Sequence, residues 1–102
     1  MKLARNHSEL IGNTPIVKVD SLSTLSGCKI YLKCESFNPG GSIKDRAALK
    51  MVEKAMERGD LKPGMTIVEG TAGNTGIGLA VVAKSLGLNM LAVMPKGQAI
   101  EK

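Results

Sequence analysis

The chain alternates between two hydrophobic periods, and these predict four short strands and two longer helices. Apolar residues recur every three or four positions over 42–58 and 74–86, which is the spacing of helices that bury one face. Short apolar runs bounded by turn-forming residues predict strands over 16–19, 29–34, 65–69 and 89–94.

The order of these elements predicts the fold class. Strands that alternate with helices are typical of α/β proteins, in which right-handed helical crossovers join parallel strands. The segment 21–27 is predicted to be a loop, and Gly59 and Gly87 are predicted to end the two helices. The sequence therefore predicts an α/β fold built from parallel βαβ units.

The second predicted helix is apolar on nearly every side. From Ile77 to Ala83 each residue is apolar or glycine, and Lys84 and Ser85 are the only polar residues before the helix ends. Such a helix needs cover around almost its whole surface, and a parallel sheet needs helices on both faces. Two helices do not provide that cover, so the sequence predicts an incomplete version of its fold.

Composition and charge exclude several classes of function. The 102 residues form one domain at most, 43% of them are hydrophobic, and the formal net charge of +5 comes from interleaved basic and acidic residues. One Phe, one Tyr and no Trp leave too few stacking surfaces for a nucleic-acid interface. No apolar run is long enough for a signal peptide or a membrane span, so we expect a cytoplasmic protein without a membrane partner.

The cysteines do not indicate a metal site. Cys28 and Cys34 lack the spacing of metal ligands and have no histidine nearby in the sequence, since the single histidine, His7, lies near the start of the chain. We therefore expect two structural cysteines with reduced thiols, and no metal.

Lys44 is the candidate catalytic residue. It follows Ser42, a natural N-cap, and precedes Asp45, so it falls in the first helical turn, where the helix dipole disfavours a positive charge. Its spacing to Ala48 predicts a side chain along the apolar flank of the helix, pressed toward the core. Both influences favour the neutral amine, a nucleophile toward carbonyls, which suggests a Schiff base. The alternative is a lysine whose stem packs on apolar residues while its ammonium reaches water.

The loop over 70–74, ahead of the second helix, is a second candidate site. Loops that follow parallel strands meet at one edge of the sheet, so this loop and the one ahead of Lys44 are expected to face one crevice. Small residues, hydroxyls and free helix N–H groups suit a carboxylate or a phosphate. Alternatively, the loop is only a turn whose threonine and asparagine side chains cap the helix.

A nucleotide-binding module is the competing hypothesis of a different ligand class. Gly73, Gly76 and Gly78 have the spacing G-x-x-G-x-G, the reverse of the dinucleotide fingerprint G-x-G-x-x-G. The next predicted strand also ends without an acidic residue to bind a ribose. Both mismatches count against a dinucleotide.

Three segments carry motifs that occur together in one enzyme family. They are the run Ile-Gly-Asn-Thr-Pro over 11–15, the segment 33–46 with Ser-Ile-Lys-Asp-Arg, and the segment 69–80 with Gly-Asn-Thr-Gly. Together they resemble the N-terminal region of cysteine synthases and cystathionine β-synthases, pyridoxal-phosphate enzymes with the fold of the tryptophan synthase β chain. The resemblance implies that residues 1–102 form about the first third of that catalytic fold.

The resemblance also implies a cofactor and a role for each candidate residue. Lys44 would hold pyridoxal 5'-phosphate as a Schiff base and move the proton at the substrate α-carbon, and Asn74 would hydrogen-bond the phenolic oxygen of the ring. The substrate carboxylate would bind four loop residues, Thr71, Ala72, Gly73 and Thr75. The implied reaction replaces the β-substituent of a serine derivative, as when O-acetylserine and sulfide give cysteine and acetate.

Several alternatives stay open. Ala72 stands where cysteine synthases usually have serine, and related serine and threonine dehydratases carry Ala-Gly-Asn there, so dehydratase-like activity is one alternative. Cystathionine β-synthase-like activity is another, because the sequence does not identify the sulfur nucleophile or the leaving group. The resemblance implies a homodimer for the intact enzyme and a phosphate-binding loop beyond residue 102. The 102-residue chain by itself could instead be a non-catalytic remnant or a fragment that pairs with another polypeptide.

Overall fold

The computed structural model describes residues 2–98, so residue 1 and residues 99–102 of the predicted domain lie outside the described part. In chain order the elements are the 3-10 turn His7–Leu10, β1 (Ile16–Lys18), α1 (Asp20–Ser26), β2 (Tyr31–Lys33), the 3-10 turn Glu35–Phe37, α2 (Lys44–Glu57), β3 (Thr66–Gly70), α3 (Asn74–Ser85) and β4 (Asn89–Val93). The four predicted strands and both predicted helices are present, each within two residues of its predicted bounds. Among these residues, no helix has the length and apolar character needed to cross a membrane.

The second half of the chain forms the predicted parallel unit. β3 and β4 pair in parallel, with Thr66 opposite Asn89 at one end and Gly70 opposite Val93 at the other, and α3 connects them. The carboxyl end of β3 therefore leads directly into the candidate loop and the start of α3, which is where ligands bind in α/β folds.

The first two strands depart from the prediction. β1 and β2 pair antiparallel, with Ile16 opposite Lys33 and Lys18 opposite Tyr31, so the expectation that these strands belong to a parallel unit is wrong. The connection between them contains only the short α1, which reverses the direction of the chain, so β2 runs back alongside β1.

α1 replaces the loop predicted over 21–27. Asp20 lies in the first turn of this helix, where a carboxylate complements the helix dipole, and Gly27 ends it with a φ of 73°. The Ser23 hydroxyl oxygen accepts a hydrogen bond from the Ile30 N–H at 2.9 Å. The serine-rich sequence is typical of a loop, but these end residues and this contact to the approach of β2 stabilise a helix.

The core lies between α2, α3 and the β3–β4 pair. Its buried apolar residues come mainly from the facing sides of the two helices, and partly buried Ile67 and Met90 from the strands pack against them. The buried apolar residues are Ala48, Val52, Leu79, Val82, Ala83 and Leu88.

Apolar surface elsewhere stays uncovered within residues 2–98. Ile77 and Ala80 on α3 are exposed, and Val68 and Leu91 on the sheet are each more than half exposed. The prediction that this chain cannot cover its apolar helix on all sides is therefore confirmed for the described residues.

Candidate active site

The first turn of α2 turns Asp45 inward and Lys44 outward. Lys44 is exposed, whereas Asp45 is fully buried and continues the inward face that Ala48 and Val52 form. These three inward positions are spaced as one face of a helix. The expectation that Lys44 is pressed toward the core is therefore wrong, because Asp45 occupies that position.

The loop ahead of α2 is tied to the helix start. The Ser42 hydroxyl oxygen accepts a hydrogen bond from the Lys44 N–H at 3.1 Å, but the helix begins at Lys44 and its N-cap position is Ile43, so the expectation that Ser42 is the N-cap is wrong by one residue. The Asn38 side-chain amide donates to the Ser42 carbonyl at 3.0 Å, and the Asn38 carbonyl accepts from the Gly41 N–H at 2.8 Å. Lys44 therefore starts from a fixed backbone.

Gly78 lets α3 approach the start of α2 closely. A β-carbon at Gly78 would lie 3.1 Å from the Lys44 carbonyl oxygen and 3.2 Å from Asp45 Cα, tighter than ordinary van der Waals contact. Asn74 lies four residues before Gly78, and residues four apart share a face of a helix. The face of α3 that contains Asn74 is therefore the face that meets the start of α2.

The loop ahead of α3 is closed by its own threonine. Thr71 Oγ1 accepts hydrogen bonds from the Gly76 N–H at 3.1 Å and, more weakly, from the Gly73 N–H at 3.5 Å. Within residues 2–98, no hydrogen bond starts from the N–H groups of Asn74 and Thr75. Two donors are therefore free at the positive end of the α3 dipole.

A pocket of about 210 Å³ lies beside this loop. Its lining consists of Thr71, Ala72, Gly73, Gly76, Ile77, Ala80, Ala92 and Met94. Three of the four predicted carboxylate-binding residues thus line one pocket, while Thr75 and Lys44 do not belong to its wall. The volume is below the roughly 300 Å³ at which drug-sized pockets begin, so it suits a small group such as one end of an amino acid.

A polar cluster that the sequence analysis did not assign a role stabilises the approach to α2. Arg46 Nε lies 2.5 Å from Glu35 Oε1, and Arg46 Nη2 lies 3.3 Å from Oε2. The same Oε2 accepts from the Thr14 hydroxyl at 2.8 Å and from the Asn38 amide at 3.2 Å, while Asn38 Oδ1 accepts from the Gly12 N–H at 2.8 Å. These five residues, the Glu35 cluster, join the N-terminal segment to the loop and to α2. The signal in the sequence was that all five residues lie within the motif segments 11–15 and 33–46.

The Glu35 cluster makes stability depend on pH. Hydrogen bonds from the Arg46 guanidinium and then from the Thr14 hydroxyl hold the pKa of Glu35 below its ordinary value. A carboxyl group whose pKa is lowered by folding stabilises the fold above the pKa of the unfolded chain, and this contribution is lost as the pH falls through the native pKa.

The substitution Glu35→Gln is therefore expected to lower the urea midpoint at about pH 7, and the gap to the parent protein should narrow as the pH falls below about 4. Glu53→Gln, at an exposed position of α2, is the matched control and should give the same small difference at both pH values. A gap for Glu35→Gln that stays constant over this range would contradict the role of Arg46.

Comparison with known proteins identifies the family. The family model described as pyridoxal-phosphate dependent enzyme matches residues 7–102. Because this is nearly the whole chain, the chain belongs to the family of pyridoxal-phosphate dependent enzymes.

Individual relatives agree with this. Cysteine synthase 1 of Neurospora crassa is 54% identical over 97 residues, covering 95% of this chain and 26% of the relative. Cystathionine beta-synthase of Mus musculus is 51% identical over 94 residues, covering 90% of this chain and 17% of the relative. The crystal structure of a hydrogen sulfide-producing enzyme from Fusobacterium nucleatum superposes with a TM-score of 0.91 at 46% identity, over 99% of this chain and 33% of that one.

The fold is therefore that of the tryptophan synthase β-like pyridoxal-phosphate enzymes, and the resemblance inferred from the motifs is confirmed. The chain spans at most about a third of the length of these three proteins.

The groups at the junction of α2 and α3 have the chemistry that pyridoxal phosphate requires. An aldehyde needs a primary amine that it can reach, and Lys44 presents one at an exposed position. The polar edge of the ring and the carboxylate of an amino acid need hydrogen-bond donors, and the start of α3 offers the Asn74 side chain together with two free N–H groups. The donor set thus fits the cofactor.

The other ligand classes considered from the sequence gain no support. Packing accounts for two glycines of the reversed fingerprint, because a β-carbon at Gly76 would lie 2.6 Å from Thr71 Cγ2, and one at Gly78 would meet Asp45. Over the part of the chain that the structure describes, no group of three or more histidine, cysteine, aspartate or glutamate side chains could hold a metal ion. Cys28 and Cys34 are free thiols.

Proposed function

We propose that this chain supplies the lysine and the carboxylate-binding helix start of a pyridoxal-phosphate enzyme that replaces the β-substituent of a serine derivative. The observation that carries the proposal is the close approach at Gly78, which brings the first residue of α2 against the face of α3 that begins at Asn74. An amine and a set of anion-binding donors thereby share one junction. Relatives named cysteine synthase and cystathionine beta-synthase support the same class of reaction.

Lys44 and Asn74 are the residues that would hold the cofactor. The Lys44 amine would bind the aldehyde carbon, and Lys44 Nζ would then accept and return the proton at the substrate α-carbon. The Asn74 side-chain amide would donate to the phenolic oxygen and so orient the ring. When bound, pyridoxal phosphate supplies an electron sink for the α-carbon, while the protein provides orientation.

The start of α3 would hold the substrate carboxylate. The free N–H groups of Asn74 and Thr75 point from the positive end of the helix, where an anion is stabilised. Thr71 Oγ1 accepts two N–H groups, which leaves its own proton available as a further donor. Ala72 and Gly73 would contribute backbone N–H groups only, because neither side chain carries a donor, and the Gly73 N–H would exchange its weak hydrogen bond to Thr71 Oγ1 for the carboxylate.

The substrates we propose are O-acetylserine and sulfide, which give cysteine and acetate. This choice is supported by the 54% identity to a cysteine synthase. The condensation of serine with homocysteine is the second candidate, supported by the 51% identity to a cystathionine beta-synthase.

The test is to trap the cofactor and to measure the products on one preparation of the intact protein. After incubation with pyridoxal phosphate and reduction with borohydride, we expect peptide mapping to find the pyridoxyl group on Lys44. O-acetylserine with sulfide should then yield cysteine, whereas serine with homocysteine should yield cystathionine if the second candidate is correct. A pyridoxyl group on Lys33 or Lys84 in place of Lys44, or no product from either pair, would overturn the proposal.

A further inference from the structure

Asp45 is a buried acid that the proposed chemistry does not use. Its side chain is fully buried, and Oδ2 accepts a hydrogen bond from the Gly40 N–H at 2.5 Å. Oδ1 is buried as well and has no hydrogen-bond partner within residues 2–98. Burying a polar atom without a hydrogen-bond partner costs free energy, so the buried position of the Asp45 carboxyl group must be stabilised by its other contacts.

Two glycines enclose this carboxyl group from opposite elements. A β-carbon at Gly40 would lie 2.3 Å from Asp45 Oδ1, and a β-carbon at Gly78 would lie 3.1 Å from the same atom. Gly40 belongs to the loop ahead of α2, and Gly78 belongs to α3. Asp45 is therefore the point at which the loop, the start of α2 and α3 are in contact.

We propose that Asp45 is the positioning residue for Lys44. Successive residues of an α-helix are separated by about 100° around its axis, so holding Asp45 inward fixes the direction in which Lys44 leaves the helix. The contact with Gly78 also fixes that direction relative to α3, where Asn74 begins the helix. This inference rests on the proposed role of Lys44 in cofactor binding, and it adds that the neighbouring acid sets the geometry of that lysine.

The shape of the carboxyl group matters more than its charge in this arrangement. An asparagine at position 45 has nearly the same shape and can still accept from the Gly40 N–H, while an alanine leaves that N–H without a partner and leaves the space beside Gly78 empty. The conservative substitution should therefore retain the positioning, and the truncation should lose it.

The experiment measures the rate at which pyridoxal phosphate labels Lys44 in the parent protein and in the variants Asp45→Ala and Asp45→Asn. The control variant is Asp20→Asn, which changes an exposed acid of α1. Labelling is followed by borohydride reduction and peptide mapping, and circular dichroism reports whether each variant is folded. We expect Asp45→Ala to label Lys44 about tenfold to a hundredfold more slowly, and Asp45→Asn and Asp20→Asn within about twofold of the parent.

A second variant, Gly40→Ala, tests the same role of Asp45 in case Asp45→Ala does not fold. Gly40→Ala lies in the loop and leaves Asp45 present, but its β-carbon would displace the carboxyl group, so the same slow labelling is expected. Labelling of Lys44 at the parent rate in either folded variant would overturn the role of Asp45. If the parent protein is not labelled at Lys44, the proposed function fails instead, which separates the two results.

Discussion

Replacing Lys44 by alanine is expected to reduce β-replacement by the intact protein at least about 1,000-fold, because the amine would both hold the cofactor and move the α-proton. The fold should persist, since the Lys44 side chain is exposed and alanine is the best helix former. The measurement is kcat/KM for cysteine formation, together with the loss of the visible absorbance of a lysine-bound cofactor.

Two further variants separate nucleophilicity from charge and from helix stability. Lys44→Arg keeps a positive charge but removes the nucleophilic amine, so it should be as inactive as the alanine variant. Lys50→Ala removes an exposed lysine of the same helix and should leave kcat/KM within about twofold. Activity near the parent level in folded Lys44→Ala would show that the lysine assignment is wrong.

The long elements of this fold could be predicted because their hydrophobic periods extend over enough residues to be distinct. α2 and α3 each contain several turns, and β3 and β4 are short apolar runs bounded by glycine or proline. α1 could not be predicted, because its seven residues are mostly serine, threonine and leucine and it depends on contacts such as that between Ser23 and Ile30. The antiparallel direction of β2 relative to β1 also could not be predicted, since the sequence of a three-residue strand does not indicate its orientation.

The position of the candidate lysine along the chain could be predicted, but its direction could not. Ala48 is four residues after Lys44 and three after Asp45, so the apolar stripe can be extended back to either residue. A lysine with an apolar stem is the better candidate on hydrophobicity alone. The structure selects Asp45 because the Gly40 N–H offers a hydrogen bond at the buried position, and no pattern within the helix contains that information.

The reason for the glycines of α3 also could not be predicted from the sequence alone. Their spacing suggested a ligand, whereas Gly76 and Gly78 are required by close contacts with Thr71 and with the start of α2. A glycine that permits two helices to touch cannot be told from one that permits a ligand to approach until the partner element is known. The candidate site thus depends on packing that lies outside the motif.

The close approach of α2 and α3 predicts that Gly78→Val destabilises the protein by about 3 kcal/mol. The β-carbon would lie 3.1 Å from both the Lys44 carbonyl oxygen and Asp45 Oδ1, and the two methyl groups of valine need additional space. The Lys44 carbonyl oxygen cannot shift unless α2 moves with it, so α2 and α3 would have to separate. The change should appear as a lower urea midpoint, and labelling of Lys44 by pyridoxal phosphate should slow in the fraction that stays folded.

Lys84→Val is the control, because it places the same β-branched side chain at an exposed position of the same helix, outside the wall of the pocket. Its expected effect is below about 0.5 kcal/mol, with labelling of Lys44 unchanged. Equal midpoints for the two variants would mean that α3 does not meet the start of α2 at Gly78. In that case the amine and the anion-binding donors would not share one junction, and the arrangement on which cofactor binding depends would have to be sought elsewhere in the protein.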